Sequence, residues 1–354
     1  MAQKVTIATV ARQAGVSRQT VSNVIHSPEI VREETRERVR EAIAALGYRA
    51  SQAARQMRTG RSQLIAVRIE PTRDGINGSV LDRFLHGLTE AAGVAGYRVM
   101  LYTATDAANE IATYDDLLGA YDLDAFVLTG TDHGDVRTAW LAERKVPFVT
   151  FGRSWDAPER YPWVDVDGAA GTAAATSHLV TQGHRRIAFI GWPAGSGVGD
   201  DRRAGWASTV SAIGADATEL DRETPDGITQ GEEVARRLLD LPTPPTALVC
   251  ASDSLALGAL QAVRERAAQV AVTGFDDTPV AQAIGLTSVS QPLAEAAASC
   301  VDLLAEVLDG GGSAHSGGST HADASAHFGG PPGPPPGTPA QVLLAPALVV
   351  RRSG

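Results

Sequence analysis

Seven short apolar runs recur between residues 64 and 275, with amphipathic stretches between them. They are LIAVRI (64–69), YRVMLYT (97–103), DAFVLT (124–129), PFVTF (147–151), RIAFIG (186–191), TALVCA (246–251) and VAVTGF (270–275). Short runs of this kind suit strands buried on both faces. The stretches between them, such as DRFLHGLTEAAGVAG ending at Gly96, are spaced as helices. Strands alternating with helices of that length imply parallel sheets covered by helices. One doubly wound sheet rarely uses so many units. The pattern predicts an α/β core of two lobes, with a ligand held between them at the carboxyl ends of the strands.

Residues 5–25, VTIATVARQAGVSRQTVSNVI, are built differently. Ile7, Val10, Ala11 and Ala14 recur at helical spacing behind Thr6, a capping residue type. After a turn at Gly15, Ser17 can cap a second helix whose apolar side is Val21, Val24 and Ile25. Arg18, Gln19, Ser22 and Asn23 occupy its other side. A helix face made of hydrogen-bonding groups is what reading base edges requires, and two helices around a tight turn describe a helix-turn-helix. A third helix is expected from about Arg32 to Leu46, with Val39, Ile43 and Leu46 inward and Gly47 as its stop. Residues 1–49 thus read as an all-α head.

Charge supports this division. The whole chain carries −10, which read globally argues against nucleic acid. Residues 1–61 hold 11 Lys and Arg against 5 Asp and Glu, a net of +6, so the rest carries −16. A basic head on an acidic body fits a protein that meets phosphate at one end. No apolar run reaches the roughly 18 residues of a membrane span, and the N-terminus lacks a signal-peptide pattern. The expectation is a cytoplasmic protein with no membrane role. Cys250 and Cys300 stand alone, as buried apolar side chains rather than disulfide or zinc ligands. No cofactor and no catalytic constellation is expected.

Residues 50–61 allow two readings. Ala53, Ala54 and Met57 share one side of a helical pattern, with Arg55, Arg58 and Arg61 supplying charge. Such a segment can fold on binding and insert Met57 as a wedge between base steps. It can equally be a basic linker.

Here the chain resembles a known family. TIATVARQAGVSRQTVSNVI followed by ETRERVREAIAALGYRASQAARQMRTGRS is similar to the head and hinge of the LacI/GalR regulators of bacterial transcription. The resemblance implies a dimer on a pseudo-palindromic operator in double-stranded DNA. It assigns base reading to Arg18, Gln19 and Asn23, and the wedge to Met57. Ser17, Thr20, Ser22 and His26 become phosphate or helix-end contacts, with Thr6 and Arg55 as further DNA-binding candidates. Three departures stand out: Arg32 where the family caps its third helix with serine, Ala50-Ser51 where it has Pro-Asn, and Met57 for leucine.

The body matches the same family in order: HLVTQGHRRIAFIG, DRRAGW, TALVCASDSLALGAL, GFDD and SVSQPL. The resemblance implies a periplasmic-binding-protein-like core, crossed by the chain near 160, near 290 and again towards the end. Its domains would be a hinge at 50–61 and a core at 62–309 plus 339–354. Lobe 1 would take about 62–160, 290–309 and the C-terminal strand, and lobe 2 about 161–289. Arg202 falls where the family places an arginine on its effector, and that planar fork suits paired hydroxyls or a carboxylate. Asp276, after VAVTGF, would point into the cleft or bond its own turn. Glu70, Thr129 and Arg153 are further candidates from strand ends. Asp226 lies near where members stack an aromatic on the ligand, leaving Trp155, Trp192 and Phe275 as substitutes. Gly152 and Gly168 replace the family's usual aspartate and asparagine.

GSGVGD (195–200) lacks the last glycine of a dinucleotide fingerprint and the Lys-Ser/Thr of a P-loop, so it reads as a flexible loop ahead of Arg202. Residues 310–338 are low in complexity, with histidines at 315, 321 and 327, and read as a disordered insertion without a metal site. The function implied is a transcriptional repressor released by a small-molecule effector, a sugar first. The alternatives are a regulator that binds a purine corepressor and, in another class, a solute-binding protein without DNA function.

Overall fold

A computed structural model describes residues 5–48, 60–69, 76, 78–156, 161–215, 217–310 and 340–354, in two compact units, 1–62 and 63–354. The hinge candidates Arg55 and Met57, the cleft candidate Glu70 and the low-complexity insertion lie outside the described residues.

The head holds helices Ile7–Ala14, Arg18–His26 and Glu33–Leu46. Gly15 takes a left-handed turn at φ 67°, which costs a residue without a Cβ little. The Ser17 hydroxyl then caps the second helix by accepting the Thr20 N–H at 3.0 Å. Val10, Val21 and Val39, one from each helix, are wholly buried and form the centre of the head. The third helix begins at Glu33, and Arg32 at its N-cap makes no side-chain cap bond. Glu33 and Glu34 in the first turn offset the positive end of the helix dipole instead.

The second unit contains two six-stranded sheets. The first joins β1 (Leu64–Ile69), β2 (Arg98–Thr103), β3 (Ala125–Thr129), β4 (Phe148–Phe151), β5 (Trp163–Val166) and β11 (Gln341–Leu344) in the order β11-β5-β4-β3-β1-β2, all parallel. The second joins β6 (Ile187–Gly191), β7 (Asp221–Glu223), β8 (Ala247–Cys250), β9 (Ala271–Phe275), β10 (Thr287–Ser290) and β12 (Ala347–Val349) in the order β12-β10-β9-β8-β6-β7. It is parallel except for β12, which runs antiparallel to β10.

Alternation along the strands builds a core on each face. In the first lobe Ile65, Val67, Val127 and Val164 pack with helices Gly78–Val94 and Leu293–Gly310. Ala66, Phe126 and Leu128 point the other way, onto Tyr114 and Leu141. Each large side chain removed from water in this way contributes about 1.5–3 kcal/mol. In the second lobe Ile187, Phe189, Val249 and Trp206 share one core. Cys250 and Cys300 are free and buried. Among the described residues no helix is long and apolar enough to cross a membrane.

Three expectations need correction. Trp163–Val166 pairs with β4 in the first sheet, so the chain crosses after Val166 and not near 160. The closing segment is two strands, not one strand of the first lobe. Pro346, which lacks an N–H, separates β11 in the first sheet from β12 in the second. GSGVGD is not a loop throughout: Ser196 caps helix Gly197–Ala212 by accepting the Gly199 N–H at 3.3 Å. Further along that helix, a Cβ on Gly205 would overlap the Ala169 carbonyl oxygen. Glycine there lets the helix lie directly on helix Gly168–Thr181 and fixes the position of Arg202 one turn earlier.

Candidate functional site

A cavity of about 210 Å³ opens where strands of both sheets end. From the first lobe, Thr129 ends β3 and Gly130 and Thr131 follow it, Phe151, Gly152 and Trp155 end or follow β4, and Asp165 comes from β5. From the second, Trp192 follows β6, Asp201 and Arg202 come from helix Gly197–Ala212, Asp226 follows β7, and Phe275, Asp276 and Gln291 close the far side. This is the crevice at the carboxyl ends of the strands, where open α/β folds bind ligands.

Arg202 is buried, at 6% exposure. Its Nη1 donates to the Ala251 carbonyl at 2.5 Å, and its guanidinium carbon sits 5.2 Å from the Trp192 ring centre. Nη2 stands 3.6 Å from the Asp276 carboxylate, which also accepts the Gln291 amide at 2.7 Å. Asp276 has φ 111°, a conformation that L side chains rarely adopt and that costs on the order of 1–3 kcal/mol. Its surroundings hold it there. The Asp276 N–H donates to the Val289 carbonyl at 2.7 Å. Two residues onward, the Thr278 N–H donates at 2.7 Å to buried Asp253, which also accepts the Ser288 hydroxyl at 2.6 Å. Burial raises the Asp276 carboxyl to about 7, against the opposing pull of the Arg202 guanidinium.

Two buried donors beside this cluster, Arg202 Nε and Trp192 Nε1, have no partner among the described residues. Buried polar groups are ordinarily satisfied, so these two donors can serve an acceptor placed in the cavity. The lining carboxylates are Asp165, Asp201, Asp226 and Asp276, against one lining arginine, Arg202. The rest of the wall combines the polar Thr129, Thr131 and Gln291 with aromatic and aliphatic side chains.

Of the cleft candidates, Thr129, Arg202 and Asp276 meet on this cavity. All three aromatic substitutes, Trp155, Trp192 and Phe275, line it as well. Arg153 does not, and the expectation that it faces the ligand is revised. Its Nε donates to Asp165 at 2.6 Å and its Nη2 lies 3.3 Å from Asp201, so two carboxylates occupy the fork. Asp201 belongs to the second lobe, and this pair bridges the cleft. Its carboxyl is raised above the usual range by burial, with Arg153 pulling it down. Asp226, expected near the ligand, lines the cavity, whereas Asp165, Asp201 and Gln291 are wall residues that the sequence reading does not name. The aspartate inside the apolar run WVDV is a signal for Asp165, and the neighbour of Arg202 in DRRAGW for Asp201.

In the head, Arg18 and Gln19 are exposed on helix Arg18–His26, while Ser22 and Asn23 are half-buried. The Gln19 amide donates to the Asn23 side-chain carbonyl at 2.9 Å, so two expected base readers are tied together. Ser17 and Thr20 share the cap, their hydroxyls 2.9 Å apart. Thr6 is exposed, with its hydroxyl 3.2 Å from that of Thr9. His26 ends the helix, and its side chain lies outside the described residues.

Comparison with known proteins agrees with both halves. Residues 6–51 match the model of bacterial regulatory proteins of the lacI family, and residues 176–319 match a periplasmic binding protein-like domain. The chain is 33% identical over 299 residues to the HTH-type transcriptional regulator CelR of Thermobifida fusca, covering 81% of this chain and 87% of that one. Among solved structures, a complex of the transcriptional regulator CelR with cellobiose aligns at TM-score 0.69 and 28% identity, covering 99% of this chain and 100% of that one. The lac repressor dimer bound to operator and the anti-inducer ONPF aligns at TM-score 0.79 and 25% identity, covering 99% of both.

Proposed function

The chain belongs to the lacI family of bacterial regulatory proteins, and we propose that it is a repressor released from its operator by an uncharged sugar. That it is a helix-turn-helix transcriptional regulator and not an enzyme follows from the family itself. The observation that carries the effector reading is the row Arg202, Asp276 and Gln291 set against Phe275 and Trp192. Such a wall offers a donor fork, an acceptor carboxylate and an amide to adjacent hydroxyls, and ring faces to the apolar side of a pyranose.

The charge of the wall narrows the class. Arg153 is already paired with Asp165 and Asp201, and Arg202 faces Asp276, so neither guanidinium is left free for a phosphate or carboxylate on the ligand. The relative solved with cellobiose makes a glucose-containing disaccharide the first compound to try.

On DNA, a dimer would set two heads on a pseudo-palindromic operator. Arg18, Gln19 and Asn23 would read base edges. Thr6, Ser17, Thr20, Ser22, His26 and Arg55 would contact phosphates or helix ends, and Met57 would wedge the central step. The sugar would act by favouring a lobe arrangement that disfavours paired hinges, which requires different affinities for the two arrangements.

The test is a mobility-shift assay on the DNA upstream of the chain's own gene, titrated with cellobiose, maltose, glucose and glucose 6-phosphate. Release by a neutral sugar at concentrations where glucose 6-phosphate has no effect is the expected result. Absence of a shift at low salt defeats the operator reading, and release by the phosphate alone defeats the effector reading.

A further inference from the structure

Arg137 is 4% exposed and does not line the cavity. It is the second residue of helix Val136–Glu143, which follows the loop 130–135 that leaves β3. Its guanidinium is spent entirely on its surroundings. Nε and Nη2 donate to Asp135 at 2.9 and 2.7 Å, and Nη1 donates to Glu110 at 3.0 Å. Two further bonds reach the backbone of the cavity wall: Nη1 to the Thr129 carbonyl at 3.2 Å and Nη2 to the Gly130 carbonyl at 2.8 Å. Glu110, wholly buried, is held in turn by Arg68 at 2.6 Å and by the hydroxyls of Tyr114 and Tyr102 at 2.7 and 2.8 Å.

The loop pinned in this way does two things. Thr129, Gly130 and Thr131 form the wall of the cavity. The same loop also holds residues that reach the second lobe. Burial raises the Asp132 carboxyl, and the backbone N–H of Gly197, at the start of the second-lobe helix, pulls it back down. The Thr131 hydroxyl donates to the Arg153 carbonyl at 2.9 Å, and the Thr131 carbonyl accepts the Trp155 indole N–H at 3.1 Å. Those two residues also cross the cleft. The Trp155 ring packs so close to Gly197 that a Cβ there would overlap it, and Arg153 reaches Asp201 at 3.3 Å.

We propose that Arg137 is the positioning residue of the cleft: it locks residues 129–135 into one piece that is at once the ligand wall and the contact through which the first lobe holds the second. Five donors of one planar cation converge on two carboxylates and two successive carbonyls, and only a guanidinium can meet all of them together. A lysine ammonium at the same place satisfies the carboxylates and leaves the Thr129 and Gly130 carbonyls to water or strain. The proposal builds on the reading of this cavity as the effector cleft, although its first readout needs no effector.

The test compares Arg137→Lys with Tyr114→Phe in the full-length protein. Both weaken the cluster around Glu110, but only the first releases the two wall carbonyls. Amide hydrogen exchange is followed by mass spectrometry on peptides covering 129–135 and 195–202, alongside the thermal midpoint. Arg137→Lys is expected to speed exchange in both peptides by about tenfold, while Tyr114→Phe lowers the midpoint without that local effect. Equal exchange in the two variants, or no change in 195–202, overturns the proposal. A second arm measures cellobiose affinity by calorimetry, where Arg137→Lys should weaken binding by about tenfold and Tyr114→Phe by less than about twofold. Failure of the wild-type protein to bind cellobiose refutes the choice of sugar and leaves the exchange data to decide the role of Arg137.

Discussion

The guanidinium of Arg202 lies 3.7 Å over the ring of Phe275, the residue immediately before its carboxylate neighbour Asp276. One short stretch at the end of β9 thus supplies both the face and the charge that fix the arginine. A planar, delocalised cation can stack on a ring and still point its N–H groups sideways, which a tetrahedral ammonium cannot do.

Arg202→Lys should therefore weaken effector binding by roughly 10- to 100-fold, the range of about 1.5–3 kcal/mol expected for a lost charged hydrogen bond. Operator affinity without effector should stay within about twofold. Calorimetry with the releasing sugar and a mobility shift on the operator measure the two separately. A parallel loss of operator affinity would make Arg202 a structural residue of the body.

Burial raises the carboxyls of Asp276 and Asp253 above the usual range of 3.8, to about 7 and about 6. The folded chain therefore keeps protons that the unfolded chain has released. The stabilisation they represent is complete below the ordinary carboxylate pKa and is lost as pH rises through the raised values. Thermal midpoints should fall from about pH 4 to about pH 7 on this account. Asp276→Asn should flatten that decline, and an unaltered slope would place the titration at other groups.

In the head, Gln19 and Asn23 hold one another at 2.9 Å, so each limits the side-chain positions open to the other. Gln19→Ala should lower specific operator affinity by roughly 10- to 100-fold, as loss of a bidentate base contact of about 1–3 kcal/mol does. The slope of affinity against salt should not change, because no phosphate-neutralising charge is lost. A shallower slope would assign Gln19 to the backbone.

Arg32 occupies an N-cap without using its side chain there. Arg32→Ser should stabilise helix Glu33–Leu46 by about 1 kcal/mol. Amide exchange in that helix should slow by about fivefold on this basis. If the same change weakens DNA binding, Arg32 was exchanged for the cap because it meets phosphate.

Much of this architecture can be read from local pattern. The helix-turn-helix shows itself because Val10, Ala11 and Ala14, and then Val21, Val24 and Ile25, recur at helical spacing on either side of Gly15 and Ser17, and the energetics of caps and turns are local. Strands such as β3, buried along their whole length, announce themselves by composition. The three-residue β7, Asp-Arg-Glu, carries no strand signal, because it exists only through pairing with β6. The site divides along the same line. Thr129 and Asp276 are legible as residues at strand ends. Arg153 looks equivalent, but its partners Asp165 and Asp201 come from β5 and from the opposite lobe, and no spacing rule encodes that meeting. Arg137 gives no sign in the sequence that it closes on Glu110, which lies 27 residues earlier.

The segment split at Pro346 gives the first sheet its outer strand β11 and the second its outer strand β12. During synthesis, then, neither lobe can finish before the other. A nascent chain that has reached residue 310 has made five strands of each sheet and lacks one edge strand of each, leaving β5 and β10 as open edges of the kind that recruit other chains. A premature stop anywhere before Gln341 would not yield one sound lobe and one broken lobe. It would yield two unfinished sheets, so nonsense and frameshift lesions late in the gene should behave as losses of the whole body, exposed to proteolysis and aggregation together.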